Sequence, residues 1–180
     1  MADPVLVIEL PAAPSAAVIQ RLRDLLVGAS SWFEERRPGF YDINVFADRL
    51  GVVGPGNVDT RRPFLVSVVG PGIGDEEIFE GEHEDGPDLE ALVGFRPTHA
   101  VDVIAGCNDR IDHIATALLT ASIMDVMGGV AGVELWDGRM AVVAGLPGVP
   151  AMTDDAWPTA FATAEFLRAW TARPGFRLLE

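Results

Sequence analysis

Pro4 to Leu10 is an apolar run interrupted by Glu9, and Val18, Ile19, Leu22, Leu25 and Leu26 then recur at helical spacing behind Ser15. This pattern predicts a buried strand followed by an amphipathic helix that Gly28, Ser30 and Ser31 close, or that Trp32 and Phe33 extend. Phe40 to Ala47 alternates in the manner of a half-buried strand, and Phe64 to Val69 and His99 to Gly106 are short apolar strands. Asn108 stands where a helix N-cap is wanted and Gly128-Gly129 where a helix must stop, with Ile111, Ile114, Ala115, Leu118, Leu119, Ile123, Val126 and Met127 between them. Such wide apolar coverage marks a central helix.

Val130 to Trp136 and Met140 to Ala144 flank Asp137-Gly138, which reads as a two-residue hairpin turn. A last helix is predicted from Pro158 to just before Pro174, and a terminal strand over Phe176 to Leu179. The predicted order is βαβββαββαβ. It describes a single α+β domain over residues 1–180, with a mixed β-sheet and about three helices packed mainly on one face.

One segment breaks this rhythm. Asp75, Glu76, Glu77, Glu80, Glu82, Glu84, Asp85, Asp88 and Glu90 crowd into positions 75–90 with His83 and no arginine, so this stretch is expected to be an acidic loop between two strands.

Composition narrows the function classes. The chain has 180 residues, 49% hydrophobic and 22% charged, which is ample for one core. Its 13 basic residues, all arginine, against 27 acidic ones give a net charge of −14, which argues against a nucleic-acid binder and against an anionic membrane surface. No secretory signal is legible at the N-terminus, and a single cysteine, Cys107, fits a reducing compartment, so a cytoplasmic location is expected.

Several chemistries fail on spacing. After Gly70-Pro71-Gly72-Ile73-Gly74 the third glycine of a dinucleotide fingerprint falls on Asp75, and further acids follow where phosphate would bind. Glu80, Glu82 and Glu84 alternate as calcium ligands can, but the sixth and twelfth positions of a calcium loop fall on Asp85 and Ala91. No second histidine lies four residues after His83, as a zinc helix would need. Cys107 and His113 are too far around a regular helix to face one another as a catalytic pair. No catalytic set, metal site or cofactor is therefore predicted.

The segments PVLVIEL, ERRPGFYD, RPFLVSVVGPG, DEEIFEGEHEDG, THAVDVIAGCNDRIDHIATALLT and EFLRAWTARPGFRLL resemble an uncharacterised family of small acidic actinobacterial proteins with no assigned activity. The helix-then-GGV arrangement is also similar to immunity proteins that neutralise polymorphic toxins. That similarity implies a cytoplasmic immunity or antitoxin-like protein that binds and blocks a basic protein partner. The partner-binding residues would be the nine acids of 75–90, whose charge would steer and pair with it. The rival expectation is a small-molecule-binding protein or enzyme with a pocket around Cys107, Asn108, Asp109 and His113. The sequence leaves the oligomeric state open.

Overall fold

The computed structural model describes residues 3–52, 59–84, 88–135, 140–143, 145–153 and 158–179. Its strands are β1 (Val5–Leu10), β2 (Ser30–Arg37), β3 (Phe40–Phe46), β4 (Arg61–Val69), β5 (His99–Ala105), β6 (Val130–Glu134), β7 (Ala151–Met152) and β8 (Thr159–Ala162). They form one sheet in the order β2-β3-β4-β5-β1-β6-β8-β7. The helices are α1 (Ala16–Ala29), α2 (Glu76–His83), α3 (Leu89–Val93), α4 (Arg110–Met127), α5 (Met140–Val143) and α6 (Ala164–Thr171).

Every pairing between neighbouring strands is antiparallel, which corrects the expectation of a mixed sheet. Helical crossovers normally join strands that run in the same direction. Here α4 does so between β5 and β6, but β1 lies between those two and pairs antiparallel with both. The intervening strand turns a local βαβ pattern into an antiparallel sheet.

Alternation along the strands assigns the faces. Leu6, Ile8 and Leu10 of β1 point to the same side as Val101 and Val103 of β5 and Phe64, Val66 and Val68 of β4, and all are buried. Over them pack Leu22 and Leu26 of α1, Leu119 and Ile123 of α4, and Phe166, Leu167 and Trp170 of α6. Each fully buried aliphatic side chain there contributes roughly 1.5–3 kcal/mol.

Six helices are described where about three were expected, and they do not share one face. Phe79 of α2 packs with Val69, Ala100 and Val7 on the opposite side of the sheet. The acidic 75–90 segment is thus mainly helical. Asp75 starts α2 in the left-handed region (φ 51), and Asp88 caps α3 by accepting the N–H of Ala91.

Other local expectations also shift. The first helix ends at Ala29, and Trp32 and Phe33 belong to edge strand β2, whose mostly charged sequence hides its pairing with β3. The segment expected to pair with β6 as a hairpin strand contains the short helix α5, and β6 pairs with β8 instead. The proposed turn at Asp137-Gly138 lies outside the described residues. The last helix starts at Ala164, after β8, and Phe176 to Leu179 is buried in part without forming a strand.

The turn between α4 and β6 shows how closely the layers approach. A Cβ on Gly129 (φ +86) would lie 2.4 Å from the Glu9 carbonyl oxygen, whereas one on Gly128 (φ +76) would meet nothing within 4 Å. Gly128→Ala is expected to cost about 1–3 kcal/mol from backbone strain alone. Gly129→Ala should cost roughly twice as much, because β1 must also shift. Urea unfolding of the two variants checks this; equal losses would contradict the close approach.

Candidate functional site

The face of the sheet opposite the main core carries polar groups that sequence periodicity conceals. Glu9 of β1 lies across from Ala100 of β5, and Asp102 of β5 lies between Val7 of β1 and Ser67 of β4. Glu9 and Asp102 are only 8% and 6% exposed, so each carboxyl must find partners in place of water. Asp102 Oδ2 accepts a hydrogen bond from Ser67 Oγ at 3.1 Å, while its buried Oδ1 has no hydrogen-bond partner.

Helix α2 lies over these groups. Phe79 and His83, four residues apart, share one face, with ring centroids 4.2 Å apart. Phe79 supplies the apolar contact with the sheet. His83 Nδ1 donates to the Phe79 carbonyl at 2.7 Å and Nε2 meets Glu9 Oε2 at 2.9 Å. At the other end of α2 the carboxylate of Asp75 pairs with Arg37 of β2.

This environment moves four ionisable groups the same way. Burial raises the Glu9 pKa, with His83 opposing and Asp102 reinforcing the shift. Burial and the nearby Glu82 push Asp102 up to about 6, against Ser67 and His83. Glu82 is raised by partial desolvation and by Glu9, with His83 opposing. Burial alone would depress His83, but its hydrogen bonds to Phe79 and Glu9 and the charges of Glu9 and Glu82 outweigh that and raise it.

Beside α2 and α3 opens a cleft of about 1100 Å³. Its apolar wall includes Val7, Phe79, Leu89 and Phe161. Among its described lining residues are seven carboxylates, Glu9 with six from 77–90, against one guanidinium, that of Arg96. Such a lining is chemically complementary to positive charge carried on apolar stems. Among the described residues no group of three or more His, Cys, Asp or Glu is arranged to hold a metal ion.

The acids expected to bind a partner are divided by this geometry. Glu77, Glu80, Glu82, Glu84, Asp88 and Glu90 line the cleft. Asp75 is engaged with Arg37, Glu76 is exposed in the first turn of α2, and Asp85 lies outside the described residues. Glu9, Asp102, His83 and Arg96 were not identified as site residues from sequence. For Glu9 and Asp102 a signal existed, namely an acid inside each of two otherwise apolar strands, VLVIEL and HAVDVIA.

The four residues of the expected small-molecule pocket lie elsewhere, at the β5–α4 junction, and none lines the cleft. Asp109, not Asn108, is the N-cap of α4, and its N–H donates to Asp112 Oδ2 at 2.7 Å. His113 Nε2 contacts Asn108 Oδ1 at 2.9 Å, and the neighbouring Asp112 meets Arg62 at 3.3 Å. The Cys107 thiol is pushed up by desolvation and by Asp112, away from thiolate chemistry. His99 contacts the Pro71 carbonyl at 2.9 Å and so ties β5 to the glycine-rich turn.

With this geometry in view, the model of the family of unknown function DUF6368 matches residues 2–180. The chain belongs to that family. Comparison with curated proteins and with solved structures gives no match. Among the described residues no helix of this DUF6368 member is long and apolar enough to cross a membrane.

The elevated Asp102 pKa has a signed consequence. Between its ordinary value of 3.8 and about 6, the folded state keeps a proton that the unfolded chain has released, so stability falls as pH rises through that window and levels off above it. Relative to Asp102→Asn, the wild-type protein is expected to lose roughly 2 kcal/mol between pH 4 and pH 7. Chemical denaturation across that range measures the difference, and parallel profiles would show that Asp102 is not strained by burial.

Proposed function

We propose that this protein binds a basic protein partner by receiving its Lys and Arg side chains in the acidic cleft, and that it blocks that partner as a cytoplasmic immunity or antitoxin-like protein does. The observation that carries the reading is the lining: seven carboxylates against one guanidinium, above apolar side chains. The carboxylates suit the charged heads, and Val7, Phe79, Leu89 and Phe161 suit the methylene stems. The net charge of −14 extends this attraction beyond contact range and favours fast, salt-sensitive encounter with a basic surface. A partner whose own working site is basic would have that site covered.

Glu77, Glu80 and Glu84 recur at spacings of three and four residues and form one stripe on exposed positions of the segment. The test is capture of partners from the lysate of the protein's own cells at low salt, followed by kinetics with the recovered protein. One basic partner is expected to elute as salt rises. Reversal of Glu77, Glu80 and Glu84 to Lys should slow its association by about tenfold or more and flatten the salt dependence. Association that is unchanged by the reversal, or insensitive to salt, would remove the cleft from the binding mechanism.

A further inference from the structure

Helix α2 is attached to the sheet at three points: the Asp75–Arg37 ion pair at its start, Phe79 in its middle, and His83 on Glu9 at its end. The third attachment differs from the others in its proton content. The Phe79 carbonyl can only accept, so the 2.7 Å contact requires the hydrogen on His83 Nδ1. The 2.9 Å contact between Nε2 and Glu9 Oε2 then requires one further proton, carried by the imidazolium or by the Glu9 carboxyl. Remove that proton and two lone pairs face each other. Moving the remaining hydrogen to Nε2 only transfers the same conflict to the Phe79 carbonyl.

We infer that the docking of α2, and with it the wall that α2 gives the acidic cleft, is gated by the single proton shared between His83 and Glu9. The groups around this pair reinforce the gate. Asp102 of β5 and Glu82 of α2 bear on it as additional carboxyls, and β4 offers only the neutral Ser67. While the proton is present, charge under the helix is low and the last turn of α2 is clamped. As pH rises and the proton leaves, unpaired carboxylates accumulate beneath that turn, and α2 swings outward from its left-handed N-cap, Asp75.

For binding, an incoming ammonium or guanidinium group offers the positive charge that the proton supplied. Proton and cation therefore compete for Glu9, and capture of a basic group releases a proton. This consequence rests on the cleft being the cation site proposed above, whereas the gate itself is testable in the ligand-free protein.

The experiment is amide hydrogen exchange on the full chain from mildly acidic to mildly alkaline pH, each rate divided by the intrinsic rate at that pH. Protection of the Phe79 to His83 amides is expected to fall by up to about tenfold per pH unit once the shared proton begins to leave. Protection in α4 should stay constant. In Glu9→Gln the amide of the new side chain donates to Nε2 without a titrating proton, so α2 should stay protected at every pH. Should that variant also loosen α4, His83→Gln provides the same comparison, since its amide donates to the Glu9 carboxylate.

Wild-type protection that does not fall with pH, or that falls equally in the Gln variants, would overturn the gate. A working gate in a protein that captures no basic partner would refute the binding reading alone. Salt-dependent capture by a protein whose α2 ignores pH would refute the gate alone.

Discussion

The arrangement of this protein turns on one constraint: a single sheet has two faces, and the second face carries two buried carboxyl groups. The large helices α1, α4 and α6 cover the apolar face by ordinary side-chain packing. The face with Glu9 and Asp102 needs a cover that supplies both apolar area and a hydrogen-bond donor. Phe79 and His83 provide these at the spacing of one helical turn, which is why so acidic a segment lies against the protein at all. The rest of α2 is free to present carboxylates outward.

That division of labour links stability to chemistry. A cover fixed by one ion pair, one phenylalanine and one histidine contact is a weaker attachment than the packing of α4, whose buried positions run through the core. The cleft beside it combines low exposure at Glu9 with six further acids along α2 and α3. In the proposed binding, the deep carboxylate would define where a cation sits, and the outer ones would raise the encounter rate. Pairs that form at such a site gain more than pairs on open surface, because less water competes.

Much of the framework was legible from hydrophobic pattern. β1, β3, β4, β5 and α4 fall close to where their alternation, helical spacing and glycine stops place them. Elements whose formation depends on tertiary partners were not. β2 reads SSWFEERR and is defined by pairing with β3 rather than by its own apolar period. The mostly apolar segment Thr159–Ala162 falls inside the predicted last helix, although its partner is β6, nearly thirty positions earlier. Charge density made 75–90 look like a loop because helical spacing of just Phe79 and His83 is too short a signal to outweigh nine acids. The acids of the candidate site were visible as a group, but their relation to Glu9 required knowing that β1 sits at the centre of the sheet.

The docking of α2 depends most directly on which nitrogen of His83 holds a hydrogen and on the proton between Nε2 and Glu9. Nitrogen-15 spectroscopy of the imidazole, followed from mildly acidic to alkaline pH in the ligand-free protein, reads both. With a proton gate, Nδ1 is expected to keep its hydrogen throughout, bonded to the Phe79 carbonyl while α2 is docked, and Nε2 to pass from a protonated or proton-sharing state to a bare nitrogen as α2 loosens. An Nε2 that remains the hydrogen-bearing nitrogen at alkaline pH, with Nδ1 bare and α2 still docked, would contradict it.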